Sequence, residues 1–466
     1  MKKALSVISA IALLASCVAA TGCSKKDEGT NTDSTPSGGG EKKGKTVINL
    51  WTFTDEVPKM VKKYMEMNPD FAAQYEVKET IIPTTDGNYQ PALDKALQAG
   101  GKDAPDFFCA EAAFVLKYTQ GDMSSYAAPY EDLGIDVENE INASKIAPYS
   151  VDIGTNPATN KVVGLGYQAT GGAFIYRRSV AKATFGTDDP STVAEKIGAG
   201  SGSWDKFFDA AEELKGKGYA IVSGDGDIWH AVENSSDKGW MDGDKLFIDS
   251  KREEFLDLSK KLKDNNYHND TEDWSEAWKA DMRGEGDKEV LGFFGPAWLI
   301  NYTIAENCGG KKPGEGTYGD WAVCAPPIGF FWGGTWLIAN KDSEKKEAVG
   351  KIIDWITLDS SDTGLQYMWA NGTLNGPGGT KDCVASNTVM EKSDGSLEFL
   401  GGQNMFDAFV PANEYANGKN LTQYDEKINS SWRGQVRQYT AGNKSRDAAI
   451  KDFKQEVADN LGISVD

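Results

Sequence analysis

The sequence predicts an α/β protein of two lobes. Short β-branched runs alternate with amphipathic helical stretches between residues 46 and 111, and a second alternation begins after about residue 157. The chain is 466 residues long, which is more than one hydrophobic core usually holds.

Residues 46–51 (TVINLW) form the first strand-like run. Val57, Met60, Val61, Tyr64 and Met65 follow at i, i+3, i+4, i+7 and i+8, which predicts a helix with Pro58 in its first turn. A second strand is expected over 75–83, a helix over 89–99 and a third strand over 106–111. This β-α-β-α-β order calls for a parallel sheet with helical crossovers. In such sheets ligands bind beyond the carboxyl ends of the strands, here near Trp51 to Asp55 and near Glu111.

Residues 162–179 (VVGLGYQATGGAFIYRRS) read as two strands broken by glycines. Trp204, Phe207, Phe208, Ala211 and Leu214 mark the apolar stripe of a helix over 203–215, with Ser203 as its expected N-cap. A strand is expected to return over 219–223. Residues 288–298 (KEVLGFFGPAW), 320–325 and 333–340 (GGTWLIAN) are strand-like, and a long helix follows from Ser343 with Ala348, Ile352, Trp355 and Ile356 on its apolar face. Helical patterns continue over 361–370 and 424–441.

The amino terminus has the layout of a secretory leader: Lys2 and Lys3, an apolar run over 4–20, then Thr21-Gly22-Cys23. From Ser24 the composition turns polar, so residues 23–45 are expected to form a flexible tether behind a leader over 1–22. This arrangement resembles a bacterial lipoprotein. Cys23 is the expected lipid site, with Cys17 in Leu14-Ala15-Ser16-Cys17 as the alternative, and either implies an extracytoplasmic, lipid-anchored protein whose only membrane contact is that lipid. The apolar run is shorter than the ~20 residues that span a bilayer.

The formal charge is −21, and near −23 once Lys2 and Lys3 are removed, which argues against a nucleic-acid or anionic-membrane surface. Cys109, Cys308, Cys324 and Cys383 form no C-x-x-C pair, so a zinc or redox motif is unsupported; a Cys308–Cys324 disulfide is left open. With two histidines, His230 and His268, a His-rich metal site has no material. Residues 224–227 and 264–276 (DNNYHNDTEDWSE) are rich in carboxylates but lack EF-hand spacing, and read as solvated acidic loops. No cofactor is expected.

Five blocks in order carry a family resemblance: VINLW at 47–51, ALQAGGKDAPDFFCAEAAFVLKYTQGDM at 96–123, SWDKFFDAAEELKGKG at 203–218, GFFGPAW at 292–298, and GGTWLIANKDSEKKEAVGKIIDWITLD at 333–359. Behind the lipoprotein-like leader, they resemble the family-1 extracellular solute-binding proteins of sugar ABC transporters, of the maltose-binding type. The resemblance implies a periplasmic-binding-protein type II fold, two α/β lobes joined by a hinge around a ligand cleft. It also implies a monomeric, non-catalytic receptor that passes an oligosaccharide to ABC transporter permease subunits. On that template the N-lobe covers 46–157 and 280–332, and the C-lobe 158–279 and 333–466. Arg177 and Arg178, and the loop over 308–316, depart from the family pattern.

Thirteen tryptophans suit a sugar site, because the apolar face of a pyranose stacks on an aromatic ring while carboxylates bond its hydroxyls. Trp204 and Trp355 lie in apolar helical stripes and are read as core. The expected ligand contacts are Trp51 and Asp55 after the first strand, Glu111 after the third, Trp229 beside His230 in an expected loop, Trp240, Trp298, Trp332 and Trp336 around Gly333-Gly334, and Trp369 with Asn371. Two other functions remain open: an extracellular glycoside hydrolase, needing two carboxylates about 5–9.5 Å apart, or the same fold carrying a peptide, polyamine or metal. No G-x-S-x-G, P-loop or H-E-x-x-H motif supports catalysis.

Overall fold

Strands from distant parts of the chain build two separate sheets. In chain order they are β1 (Thr46–Thr52), β2 (Tyr75–Ile81), β3 (Phe107–Glu111), β4 (Gly164–Gly166), β5 (Gly172–Arg177), β6 (Gly292–Pro296), β7 (Trp321–Cys324) and β8 (Thr335–Ala339). The first sheet has the order β2-β1-β3-β8-β4 and the second β6-β5-β7. β1 pairs in parallel with β2 and β3, as the β-α-β-α-β pattern predicts, whereas β8 runs antiparallel to both β3 and β4. The structure is a computed structural model describing residues 44–85, 87–374, 376 and 379–465. The leader, Cys17, Cys23 and the tether up to residue 43 lie outside the described residues.

Alternation along the strands sets the cores. Phe107, Cys109, Leu337 and Ala339 enter one cluster on the first sheet, while Phe108, Ala110, Trp336 and Ile338 enter the cluster on its other face. Helix α1 (Glu56–Met67) covers the first of these faces through Val57, Met60, Val61 and Tyr64, and α2 (Tyr89–Ala99) the second through Tyr89, Leu93 and Leu97. The second sheet alternates in the same way, with Phe174, Tyr176 and Phe294 on one face and Ala173, Ile175 and Phe293 on the other. Against the former face lie α3 (Asp205–Lys215) and α4 (Gly226–Asn234). Helix α5 (Glu276–Arg283) packs on the opposite face, α6 (Lys346–Thr357) joins the first sheet, and α7 (Asp425–Thr440) joins the second.

Strand pairing does not follow the expected lobe boundaries. β6 and β7, expected with residues 46–157, pair with β5, and β8, expected with the second lobe, pairs with β3. These pairings are antiparallel and long-range, and a periodicity reading identifies a strand without identifying its partner. Residues 219–223 form no named strand; Ala220 and Val222 make isolated bridges to Val290 and His268. Residues 226–234 are the helix α4 and not a loop. Cys308 and Cys324 are both free and buried.

The two sheets are joined by segments that bond to one another. Residues 167–171 lead from β4 to β5 and residues 325–334 lead from β7 back to β8. They run antiparallel: Trp332 N–H donates to the Thr170 carbonyl at 3.1 Å, Gly172 N–H to the Phe330 carbonyl at 2.8 Å, and Thr170 Oγ1 to the Gly333 carbonyl at 3.0 Å. A third segment joins them, with Ala169 N–H donating to the Cys383 carbonyl at 3.1 Å and Ala385 N–H to the Tyr167 carbonyl at 2.9 Å. Residues Lys45–Asp466 form one compact unit, and among the described residues no helix is long and apolar enough to cross a membrane.

Candidate functional site

A cavity of about 610 Å³ opens where the joining segments pass between the sheets. On one side lie Phe53, Thr54 and Glu56 after β1 and Glu111 at the end of β3; on the other lie His230, Glu233 and Asn234 of α4 and Asp425, Glu426 and Asn429 of α7. Its inner wall is the joining segment itself, from Phe331 to Gly334. Gly333 and Gly334 have φ of 73° and 107°, which an L side chain resists, and this turn brings the chain from Trp332 into β8.

Aromatic rings dominate one side of the cavity. Trp332 stacks on His230 with centroids 4.4 Å apart and planes 20° from parallel. Trp298 meets Trp332 edge-on at 4.8 Å, and its indole N–H donates to the Trp332 carbonyl at 3.1 Å, so the two rings fix each other. Trp274 lies parallel to Trp298, 6° apart in plane and 6.2 Å between centroids, and edge-on to Trp332 at 5.8 Å. Tyr302, one helical turn beyond Trp298, meets it at 6.4 Å and is 54% exposed. The result is a chain of ring contacts from the half-buried His230–Trp332 pair to the solvent.

Carboxylates line the same cavity in a desolvated setting. Burial pushes the Glu111 carboxyl up to about 7, the charges of Glu426 and Glu233 act in the same direction, and the Ala113 N–H, 2.8 Å from Oε2, acts against them. Burial likewise lifts Glu56 to about 7 despite the hydrogen bond from Tyr167 Oη, and Asp425 to about 7, where the Glu233 charge adds to the effect. Glu233 is buried too, yet His230, the Arg252 charge and the Asn429 amide at 2.8 Å outweigh desolvation and hold it below its ordinary value. Arg252 is fully buried; its guanidinium lies 4.6 Å over Trp240 and donates from Nη1 to the Lys238 carbonyl at 2.8 Å, and its Nε has no protein partner. The Thr303 hydroxyl on the cavity wall is likewise buried without a protein partner.

Of the expected contact residues, Glu111, Trp298 and Trp332 line the cavity. The others do not. Trp51 is half-buried on the first sheet, and its carbonyl accepts from Tyr89 Oη at 3.2 Å; Asp55 is exposed and pairs with Lys59 at 2.7 Å, although its neighbours Thr54 and Glu56 line the wall. Trp336 points to the opposite face from Leu337 and is buried, donating to the Ser150 carbonyl at 3.1 Å. Trp229 and Trp240 are buried beside one another in the core of the second sheet, Trp240 donating to Asn429 Oδ1 at 2.6 Å. Trp369 packs at a tilt on Tyr167, and Asn371 bonds the Tyr367 carbonyl at 3.0 Å and Ser393 Oγ at 2.9 Å.

Sequence reasoning missed Trp274, Tyr302, Glu56, Glu233, Arg252 and Asp425. Tyr302 had a signal, since it stands at i+4 from Trp298. Trp274 had little, because carboxylates dominate its segment and its backbone conformation is not legible in composition.

A family model for bacterial extracellular solute-binding proteins matches residues 51–362. The chain belongs to this family. Solute-binding proteins of known structure share its fold at low identity. One is the galacto-N-biose-/lacto-N-biose I-binding protein of an ABC transporter from Bifidobacterium longum, in complex with lacto-N-biose: 17% identical, covering 91% of this chain and 100% of that one, TM-score 0.67. Another is an ABC substrate-binding protein from Listeria monocytogenes in complex with cycloalternan: 15% identical, 90% and 100% covered, TM-score 0.65. A third is the GacH receptor of Streptomyces glaucescens, solved unliganded and with acarbose: 17% identical, 90% and 99% covered, TM-score 0.61. Among curated protein sequences none matches. As an extracellular solute-binding protein of type II fold, the chain works outside the cytoplasm and has two α/β lobes.

Proposed function

We propose that the protein is a carbohydrate receptor that binds an oligosaccharide in the cavity and passes it to an ABC transporter permease. The observation that carries this reading is that the rings of Trp332, Trp298, Trp274 and Tyr302 and the desolvated carboxylates Glu111, Glu56 and Asp425 line one cavity. A pyranose presents an apolar face that aromatic rings cover and a rim of hydroxyls that carboxylates accept, so this pairing of surfaces suits it better than it suits a peptide or a metal. The solved relatives that carry lacto-N-biose, cycloalternan and acarbose favour the same class of cargo.

The revised lobes follow the sheets: β1, β2, β3, β4 and β8 in one, β5, β6 and β7 in the other, with 167–171, 325–334 and 383–385 as the hinge. Ligand that touches Glu111 on one lobe and His230 on the other biases closure. The receptor is monomeric, needs no cofactor, performs no chemistry on its cargo, and is held at the membrane by lipid on Cys23 or, alternatively, Cys17.

A thermal-shift panel of mono- and oligosaccharides, peptides, polyamines and calcium tests the reading, because a ligand bound only by the native state raises the unfolding midpoint. A rise with one glycan family, recovered chemically intact, is the expected result. A rise with only a non-sugar class removes the cargo assignment, and cleavage of the glycan replaces the receptor with a glycosidase.

A further inference from the structure

Residues 413–426 leave the second lobe, touch the first and return. The stretch before them, Phe406–Ala412, is a short helix whose Phe406 and Phe409 belong to the core on one face of the second sheet. The stretch after them is α7, whose Ile428, Trp432 and Val436 belong to the core on the other face of that sheet. Between these two anchors Ala416 and Leu421 pack on the cluster of Phe108, Ala110 and Trp336, which belongs to the first sheet. A segment with both ends on one body and apolar side chains on another is a strap.

Polar contacts fix its course residue by residue. Asn413 begins it at the joining segment, where its Oδ1 accepts the Gly171 N–H at 2.9 Å; an added Cβ at Gly171 would stand 2.5 Å from the Ala412 carbonyl carbon. Asn420 ties the middle to the second lobe, donating from Nδ2 to the Ser236 carbonyl at 2.6 Å, just beyond α4. Gln423 reaches the first lobe, where its Oε1 accepts the Asp122 N–H at 3.0 Å. Gly121 makes room for that contact, since a Cβ there would stand 2.3 Å from the same oxygen. Glu426, in the first turn of α7, accepts from the Gln90 amide on α2, a charge-assisted bond between the lobes. Thr422 holds the stretch between them in shape, its N–H and hydroxyl donating to the buried Asp425 carboxylate at 2.9 and 2.5 Å.

Asn417, Asn420 and Leu421 line the cavity, so the strap is part of its wall. The contacts to Asp122, Gln90 and the first-sheet cluster are made between protein groups and exist only while the lobes are together. An interaction present in one of two arrangements shifts the population toward that arrangement. The bonds to Ser236 and between Thr422 and Asp425 lie within the second lobe, survive opening, and keep the strap with that lobe.

On the lobe division given above, we propose that residues 413–426 are a latch that holds the lobes together across the cavity without a bound solute, and that release of Gln423 and Glu426 from the first lobe gates entry. Solute enters when these two side chains let go of Asp122 and Gln90, and it is retained when they re-form their bonds.

Pulsed electron-spin distance measurement on solute-free protein tests the latch. Spin labels at Lys95→Cys on α2 and Asp209→Cys on α3, both exposed positions, report the separation of the lobes. Cys109, Cys308, Cys324 and Cys383 are buried, and Cys17 and Cys23 are replaced by serine, so the label goes to the two chosen sites. With the latch intact, a single short distance is expected. Gln90→Ala combined with Gln423→Ala adds a longer distance and lowers the compact fraction at least about twofold. Leu421→Ala moves the distribution the same way, whereas Glu347→Gln, an exposed change on α6, leaves it alone. Latch variants that lower the unfolding midpoint while the distances stay unchanged overturn the proposal, and so does an intact latch whose longer distance already dominates. Because no sugar enters the experiment, either of those results leaves the carbohydrate reading standing.

Discussion

Trp229 and His230 are adjacent in sequence and lead opposite lives: the tryptophan is sealed in a core and the histidine stacks on Trp332 at the cavity. On a helix, neighbours point about 100° apart, so reading residues 224–230 as a loop did not reveal that His230 and not Trp229 lines the cavity. Trp336 fails for the analogous reason on a strand, where period two sends it to the opposite face from Leu337. The cavity positions of Glu111, Trp298 and Trp332 could be read from sequence because each ends or follows a strand near the joining segments. Glu111 carries a pH prediction. Its folded-state value of about 7 means that the ionised form, the one proposed to accept sugar hydroxyls, is lost as pH falls through neutrality. Affinity for a neutral oligosaccharide is expected to weaken between pH 8 and pH 6, and Glu111→Gln to flatten that dependence; Kd measured across this range checks it.

The elements β1, α1, β2, α2 and β3 follow the predicted boundaries within a few residues, because period and caps are local signals. The segment 264–276 shows the limit of composition. Its carboxylates are not merely solvated: Asp273 is nearly buried and bonded to Arg433, which comes from α7, some 160 residues later in the chain. Arg433→Gln removes the cation and leaves the buried carboxylate without a charge partner, a change that costs about 3–5 kcal/mol in comparable pairs. Chemical denaturation of the ligand-free protein is expected to show a loss of that size. Asp273→Asn combined with Arg433→Gln should recover part of it, since no uncompensated charge then remains.

At the scale of the whole molecule, two lobes were foreseeable from length and from the repeated α/β alternation, whereas the assignment of β6, β7 and β8 was not. Those strands are placed by antiparallel pairing with β5 and β3, across separations of roughly 115–230 residues that local patterns do not encode. Assembly also buries a set of carboxyls whose folded-state values lie high: Asp354 near 6, Glu56, Glu111 and Asp425 near 7, Asp227 and Asp382 near 8, all chiefly through desolvation. Each holds a proton in the folded state that the unfolded chain releases at about pH 4, so stability falls as pH rises between those limits. His268, pushed down by burial, opposes this only below about pH 6.5. The unfolding midpoint is therefore expected to be higher at pH 6.5 than at pH 8.5, and differential scanning calorimetry at both values tests it.

The most direct test of carbohydrate recognition is a binding titration of wild type and Trp332→Ala against a panel of oligosaccharides. One glycan family binding wild type at micromolar or tighter Kd, and losing tenfold or more, about 1.4 kcal/mol, in Trp332→Ala is the predicted result. A protein that binds no sugar, or binds one equally well without the Trp332 ring, would contradict it.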